Sequence, residues 1–253
     1  MNIDPGRVRA VFHKEVRQFR RNRAIVVTMG ILPLLFLTGP MISIFSLSAS
    51  ASTSAVHSVV GSALLLMLIV PVILPAAIAS YSVVGERDQG TLEPLLTTPV
   101  RRGELMLGKG LAAVLPAVAV TYVLYAAFVV AVRLWAVHAV FSDLWQVAPI
   151  LAELLFAPLL ATWSVCVGMA VSVRSTDVRV AQQLSTLASL PPVGLAVLIT
   201  FRVIAPTVLS AVAIGLAIVV LDCLACWGAA TMLDRERLVV GRRAPRHERA
   251  GST

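Results

Sequence analysis

Six long apolar runs, each about as long as a bilayer crossing, leave this chain few ways to fold. They cover residues 24–47, 59–84, 111–132, 147–173, about 184–200, and 207–229. A helix needs about 20 apolar residues to cross the hydrocarbon core. Hydrophobic residues make up 58% of the chain and charged residues 13%, where a soluble domain carries about 25% charged residues. Too little polar surface remains to face water. The runs predict an all-α, polytopic integral membrane protein with six transmembrane helices. The fifth run is interrupted by Pro191-Pro192. A broken or re-entrant helix over residues 184–206 is the alternative, because irregular backbone is tolerated where protein covers it.

The basic residues set the expected orientation. The N-terminal segment carries Arg7, Arg9, Lys14, Arg17, Arg20, Arg21 and Arg23. Arg87, Arg101, Arg102 and Lys109 follow the second run, Arg174 and Arg179 the fourth, and Arg235, Arg237, Arg242, Arg243, Arg246 and Arg249 the sixth. Only Arg133 and Arg202 fall on the other side. Cytoplasmic loops are enriched in Lys and Arg, so both termini are expected inside. The net charge of +8 then reports orientation and attraction to anionic lipid, not nucleic acid. Lys14 and Lys109 are the only lysines. That arginine preference suggests a GC-rich bacterial genome, and hence an inner or plasma membrane.

Three regions follow. Residues 1–23 place Val8, Val11, Phe12, Val16 and Phe19 at helical spacing among basic residues, an amphipathic helix suited to the membrane surface. Residues 24–229 form the transmembrane domain. Residues 230–253 form a basic cytoplasmic tail, mobile beyond Leu238. The first run followed by Ala49-Ser50-Ala51 resembles a signal peptide, but it exceeds the 7–15 residues or so of such a core. Cys166, Cys223 and Cys226 all lie in apolar runs and read as small buried residues without a disulfide framework. They form no expected metal site.

Two apparent nucleotide motifs fail. Gly103 to Gly110 approaches a phosphate-binding loop, but Gly110 stands where Ser or Thr must hold Mg²⁺. Ala217 to Asp222 ends an apolar stretch in an aspartate, yet the apolar run continues beyond it. The chain is therefore not expected to be an enzyme or to carry a cofactor. Gly108 and Gly110 more plainly permit close helix approach where the third span begins.

The polar island at residues 85–102 is richer than a turn requires. Gly85 and Gly90 permit sharp turns. Thr91 can cap a helix, Glu93 suits its first turn, and Pro94 is tolerated there. Leu92, Leu95 and Leu96 share one face, and Pro99 ends the element. A short cytoplasmic helix with exposed leucines needs cover. That cover is either the chain's own surroundings or a partner.

Residues 86–100, Glu-Arg-Asp-Gln-Gly-Thr-Leu-Glu-Pro-Leu-Leu-Thr-Thr-Pro-Val, closely resemble the signature between the second and third helices of ABC-2 type transporter permeases. Asp88 replaces the commoner glutamate. The basic N-terminal helix, with Lys14-Glu15 and then Arg20 to Arg23, resembles the family's interfacial elbow helix. The likeness is specific over residues 85–105 and generic elsewhere. It implies a dimer of permease subunits, the second identical or related, and separate cytoplasmic ABC ATPase subunits that hold ATP and Mg²⁺. The helix around Thr91–Leu96 becomes a coupling helix. Glu86, Arg87, Asp88 and Glu93 contact the rim of an ATPase cleft, and Leu92, Leu95 and Leu96 fill its floor. Gly90, Thr91 and Pro99 shape the element.

Glu153 and Asp222 are the intramembrane acids. Such a residue costs about 2.5–3.5 kcal/mol at mid-bilayer and is a functional candidate by default. The resemblance implies an ATP-driven exporter of a hydrophobic or amphipathic cargo such as a drug, a lipid or a lipid-linked glycan. An ion-coupled transporter would have only those two acids to use. A non-transporting scaffold would use the island to recruit a partner.

Overall fold

The computed structural model describes residues 3–48, 50–81, 84–88, 100–200 and 208–242. All its regular structure among these is helical: α1 (Pro5–Arg21), α2 (Arg23–Phe45), α3 (Thr53–Ser80), α4 (Val84–Asp88), α5 (Arg102–Trp135), α6 (His138–Leu144), α7 (Val147–Arg174), α8 (Val178–Ala188), α9 (Pro191–Thr200) and α10 (Val208–Arg242). Among the described residues, five stretches are long and apolar enough to cross a bilayer: Ile25–Phe45, Thr53–Glu86, Gly103–Trp135, Ile150–Arg174 and Val212–Ala229. Their outer faces carry exposed Ile31, Leu35, Val123, Leu216 and Trp227, which hydrocarbon accepts and water does not.

Helix starts follow local chemistry. Asp4 caps α1 by accepting from Gly6 N at 2.8 Å, and Pro5 takes the first helical position. Ser52 caps α3 through Ala55 N at 3.3 Å. Asp177 caps α8 through Arg179 N at 2.6 Å. Along α1, Val11, Glu15 and Phe19 recur at four-residue intervals and are buried. That face lies against α5.

Three apolar clusters hold the bundle. Phe19, Ile25, Leu74, Ile78, Ala113 and Met169 meet beneath α1. Ile44, Val60, Phe128, Val140 and Leu144 join α6 to the opposite end. Leu68, Val72, Phe156, Leu160, Val193 and Ile218 bring α3, α7, α9 and α10 together.

The single fifth span expected over 184–200 is corrected by α8 and α9, which break at Ser189-Leu190. Pro191 has no N–H and disfavours helical backbone at Leu190, so the first helix must end there. The indole N–H of Trp163, midway along α7, reaches the carbonyl of Ala188 at 3.4 Å. Val193 then packs at the level of Phe156 and Leu160. The broken pair thus runs antiparallel to α7. Gly215 meets Leu155 and Leu159, and Cys226 meets Cys166, so α10 lies parallel to α7.

Two further differences stand out. Cys166 and Cys226 form a disulfide with Cα atoms 5.0 Å apart, while Cys223 is free and exposed. Spacing along the chain could not reveal a contact 60 residues apart. Helix α10 also continues past residue 229 to Arg242, because Leu233 to Leu238 contains good helix formers and no Gly or Pro.

Gly108 lets α1 cross α5 closely. A Cβ there would lie 2.6 Å from Val11 Cβ, whereas one at Gly110 would meet Val165 Cγ1 at 3.7 Å. Gly108→Ala is expected to destabilise by about 1–3 kcal/mol through overpacking, and Gly110→Ala to be neutral or slightly stabilising. Thermal unfolding in detergent separates them. Equal melting shifts would contradict the crossing.

Candidate functional site

The island's first residues are tied into the bundle. Helix α3 ends at Ser80, and α4 resumes at Val84. Ser172 of α7 bridges the two ends: its hydroxyl donates to Ser80 O at 2.7 Å and accepts from Val84 N at 3.1 Å. Val84 and Glu86 are thereby held inside.

Glu86 enters a closed ring of charge. Lys14 Nζ donates to Glu86 Oε1 at 2.7 Å and to Glu15 Oε1 at 3.1 Å. Lys109 Nζ donates to Glu86 Oε1 at 2.8 Å and to Glu15 Oε1 at 3.0 Å. Two ammonium groups thus alternate with two carboxylate oxygens and bind α1, α4 and α5 at one point. Glu15, Glu86 and Lys109 are buried, while the Lys14 side chain is 44% exposed. Lysine fits because its compact head carries three rotatable donors.

Burial opposes the charge on Lys14, but hydrogen bonding to Glu86 and the charges of Glu15 and Glu86 outweigh it and raise its pKa. A raised pKa stabilises the protonated fold. The contribution is complete below the ordinary value of 10.5 and is lost only as pH rises through the folded value.

A second tie lies one turn away. Glu104 Oε2 accepts from Arg101 N at 2.9 Å and caps the start of α5. Its Oε1 accepts from Asp4 N at 3.0 Å at the start of α1. Arg7 lies 3.7 Å from Glu104 and 3.5 Å from Asp4. The origins of α1 and α5 are therefore clasped together.

Of the residues singled out from the sequence, Glu86, Arg87 and Asp88 fall on α4. Gly90, Thr91, Leu92, Glu93, Leu95, Leu96 and Pro99 lie outside the described residues. Glu153 on α7 and Asp222 on α10 are buried. Among the described residues, Glu153 Oε1, Asp222 Oδ1 and the Tyr125 hydroxyl have no hydrogen-bond partner. Neither acid joins the charge ring. Sequence reasoning missed the pairing of Lys14 and Lys109, although their being the only two lysines was a usable signal. It also missed Glu104 and Ser172. The near-miss phosphate loop is the opening of α5, with Lys109 spent on the ring. Among the described residues, no group of three or more His, Cys, Asp or Glu is placed to hold a metal.

Lys109→Met leaves Glu15 and Glu86 short of a buried cation and is expected to cost about 3–5 kcal/mol. Adding Glu86→Gln should recover part of that loss. Thermal unfolding of the single and double variants tests it. Simple additivity would contradict a shared ring.

No curated protein matches the chain. The family model described as ABC-2 family transporter protein matches residues 9–224, from α1 into the middle of α10. Membrane subunits of this family are generally non-catalytic and generally pair with ATPase subunits. The chain belongs to the ABC-2 transporter family.

Proposed function

We propose that this chain is the permease subunit of an ATP-driven exporter, powered by ABC ATPases bound at residues 85–102. The charge ring carries the reading, because it fastens the first residues of that island to α1 and α5. An ATPase pulling on the island would move α4, α1 and the base of α5 as one body. Rigid coupling suits a lever, since a slack loop would absorb the motion. Leu92, Leu95 and Leu96 would seat in the ATPase, with Arg87, Asp88 and Glu93 at the rim. Glu86 serves the joint behind them.

The proposed layout has six spans with both termini inside. The parallel packing of α7 and α10 requires a return crossing between them. Helices α8 and α9, of 11 and 10 residues, supply about 31 Å at 1.5 Å per residue, matching a hydrocarbon core of about 30 Å. Two chains would pair around a path for a hydrophobic or amphipathic cargo. Glu153 and Asp222 are candidates to line it, because their buried carboxylates hold unpartnered oxygens.

Co-purification with a candidate partner ABC ATPase tests the docking. Leu92→Asp should insert normally, lose at least tenfold in ATPase association (about 1.4 kcal/mol or more), and abolish cargo-stimulated hydrolysis. Unchanged association would refute the assignment. For the return crossing, an impermeant thiol reagent should label a cysteine at Ala205 from outside and one at the exposed position Thr176 only from inside, in a Cys223→Ala background. Labelling of both from the same side would overturn it.

A further inference from the structure

The two flanks of α1 differ. One presents Ala10, His13, Lys14, Arg17, Gln18 and Arg21 and is polar. The other forms a groove of about 390 Å³, where Ile3, Pro5, Val8 and Phe12 face Leu107, Leu111 and Leu115 of α5, with Arg9 beside them. The three leucines are exposed and lie on successive turns at the start of a membrane-crossing helix. From Leu107 to Leu115 the helix rises about 12 Å at 1.5 Å per residue. One leaflet of a hydrocarbon core about 30 Å thick accommodates that length.

The charge at the groove is not neutralised by the described residues. Arg9 is exposed, and no described acidic side chain pairs with its guanidinium. The nearby acids are already engaged: Asp4 and Glu104 with Arg7, and Glu15 with the two lysines. An apolar trough one leaflet long, with an unneutralised arginine beside it, is complementary to one acyl chain beneath an anionic headgroup. We infer that this groove is a binding site for an anionic glycerophospholipid of the inner leaflet, with an acyl chain along Leu107, Leu111 and Leu115 and the phosphate on Arg9. The lipid extends the α1–α5 contact beyond the Gly108 crossing. This assignment depends on neither the cargo nor the ATPase.

Native mass spectrometry of the full chain in detergent, titrated with phosphatidylglycerol or phosphatidylcholine of identical acyl chains, tests the site. Wild type should prefer phosphatidylglycerol. Arg9→Gln should weaken that lipid about fivefold, the effect of one basic residue at a membrane surface, and leave phosphatidylcholine unchanged. Arg9→Lys should keep the preference, as should Arg17→Gln on the opposite flank. Leu111→Trp fills the trough and should weaken both lipids, with the melting temperature showing that each variant is folded. The inference fails if wild type binds both lipids equally, if Arg9→Gln keeps the full preference, or if Leu111→Trp leaves binding unchanged. Cross-linking of Leu111→Cys chains to each other in the membrane would place a second copy in the groove and would also overturn it.

Discussion

Two lysines held between two carboxylates decide how three helices meet. Desolvating each buried ion costs several kcal/mol, repaid only by close geometry and further hydrogen bonds. Here each of the two carboxylate oxygens accepts from both ammonium groups, at 2.7 to 3.1 Å. An apolar contact could have held the same helices with less specificity of register. A closed ring fixes the register, because sliding any one helix breaks two of its four hydrogen bonds. The Glu104 clasp and the Gly108 crossing use the same α1–α5 seam, so an ionic ring, a backbone cap and a close steric approach all oppose its separation.

Under the proposed function, the ring is what would let an otherwise greasy bundle respond to a motor outside the membrane. Ser172 holds the break between α3 and α4, and Glu86 holds α4 to α1 and α5. Residues 84–86 are therefore tied to the surrounding helices. The island's leading edge is continuous with the inner layer of the structure, and displacement there has packed side chains to act on. Beyond that layer, the Phe19, Leu74 and Met169 cluster leads into the body of the bundle.

Elements with strong periodic or compositional signals were legible. The membrane class follows from apolar length alone, and α1 from the spacing of Val8, Val11, Phe12, Val16 and Phe19. The resemblance over residues 86–100 reached the family that the match over residues 9–224 establishes. What stayed hidden depends on contacts distant in sequence. The ring joins residues 23 and 94 positions apart, and the Cys166–Cys226 bond joins residues 60 apart. Pro191 gave a local reason to doubt a continuous fifth span. The direction of the broken pair needed Trp163 against Ala188 and Val193 against Phe156. Lys109 was legible as a basic residue after the second run, and its glycine-flanked stretch was excluded as a phosphate loop, but neither reading pointed to Glu15 or Glu86.

The central claim is that the base of the island and α1 move together, and distance measurement across the ATP cycle tests it most directly. Spin labels at His13 on α1 and Asp88 on α4, in the assembled transporter, should keep one separation with and without bound nucleotide. A second pair, Asp88 with Arg179 at the start of α8, should change on nucleotide binding. A His13–Asp88 distance that lengthens or broadens when ATP binds would show the island moving free of α1, and the rigid joint would be wrong.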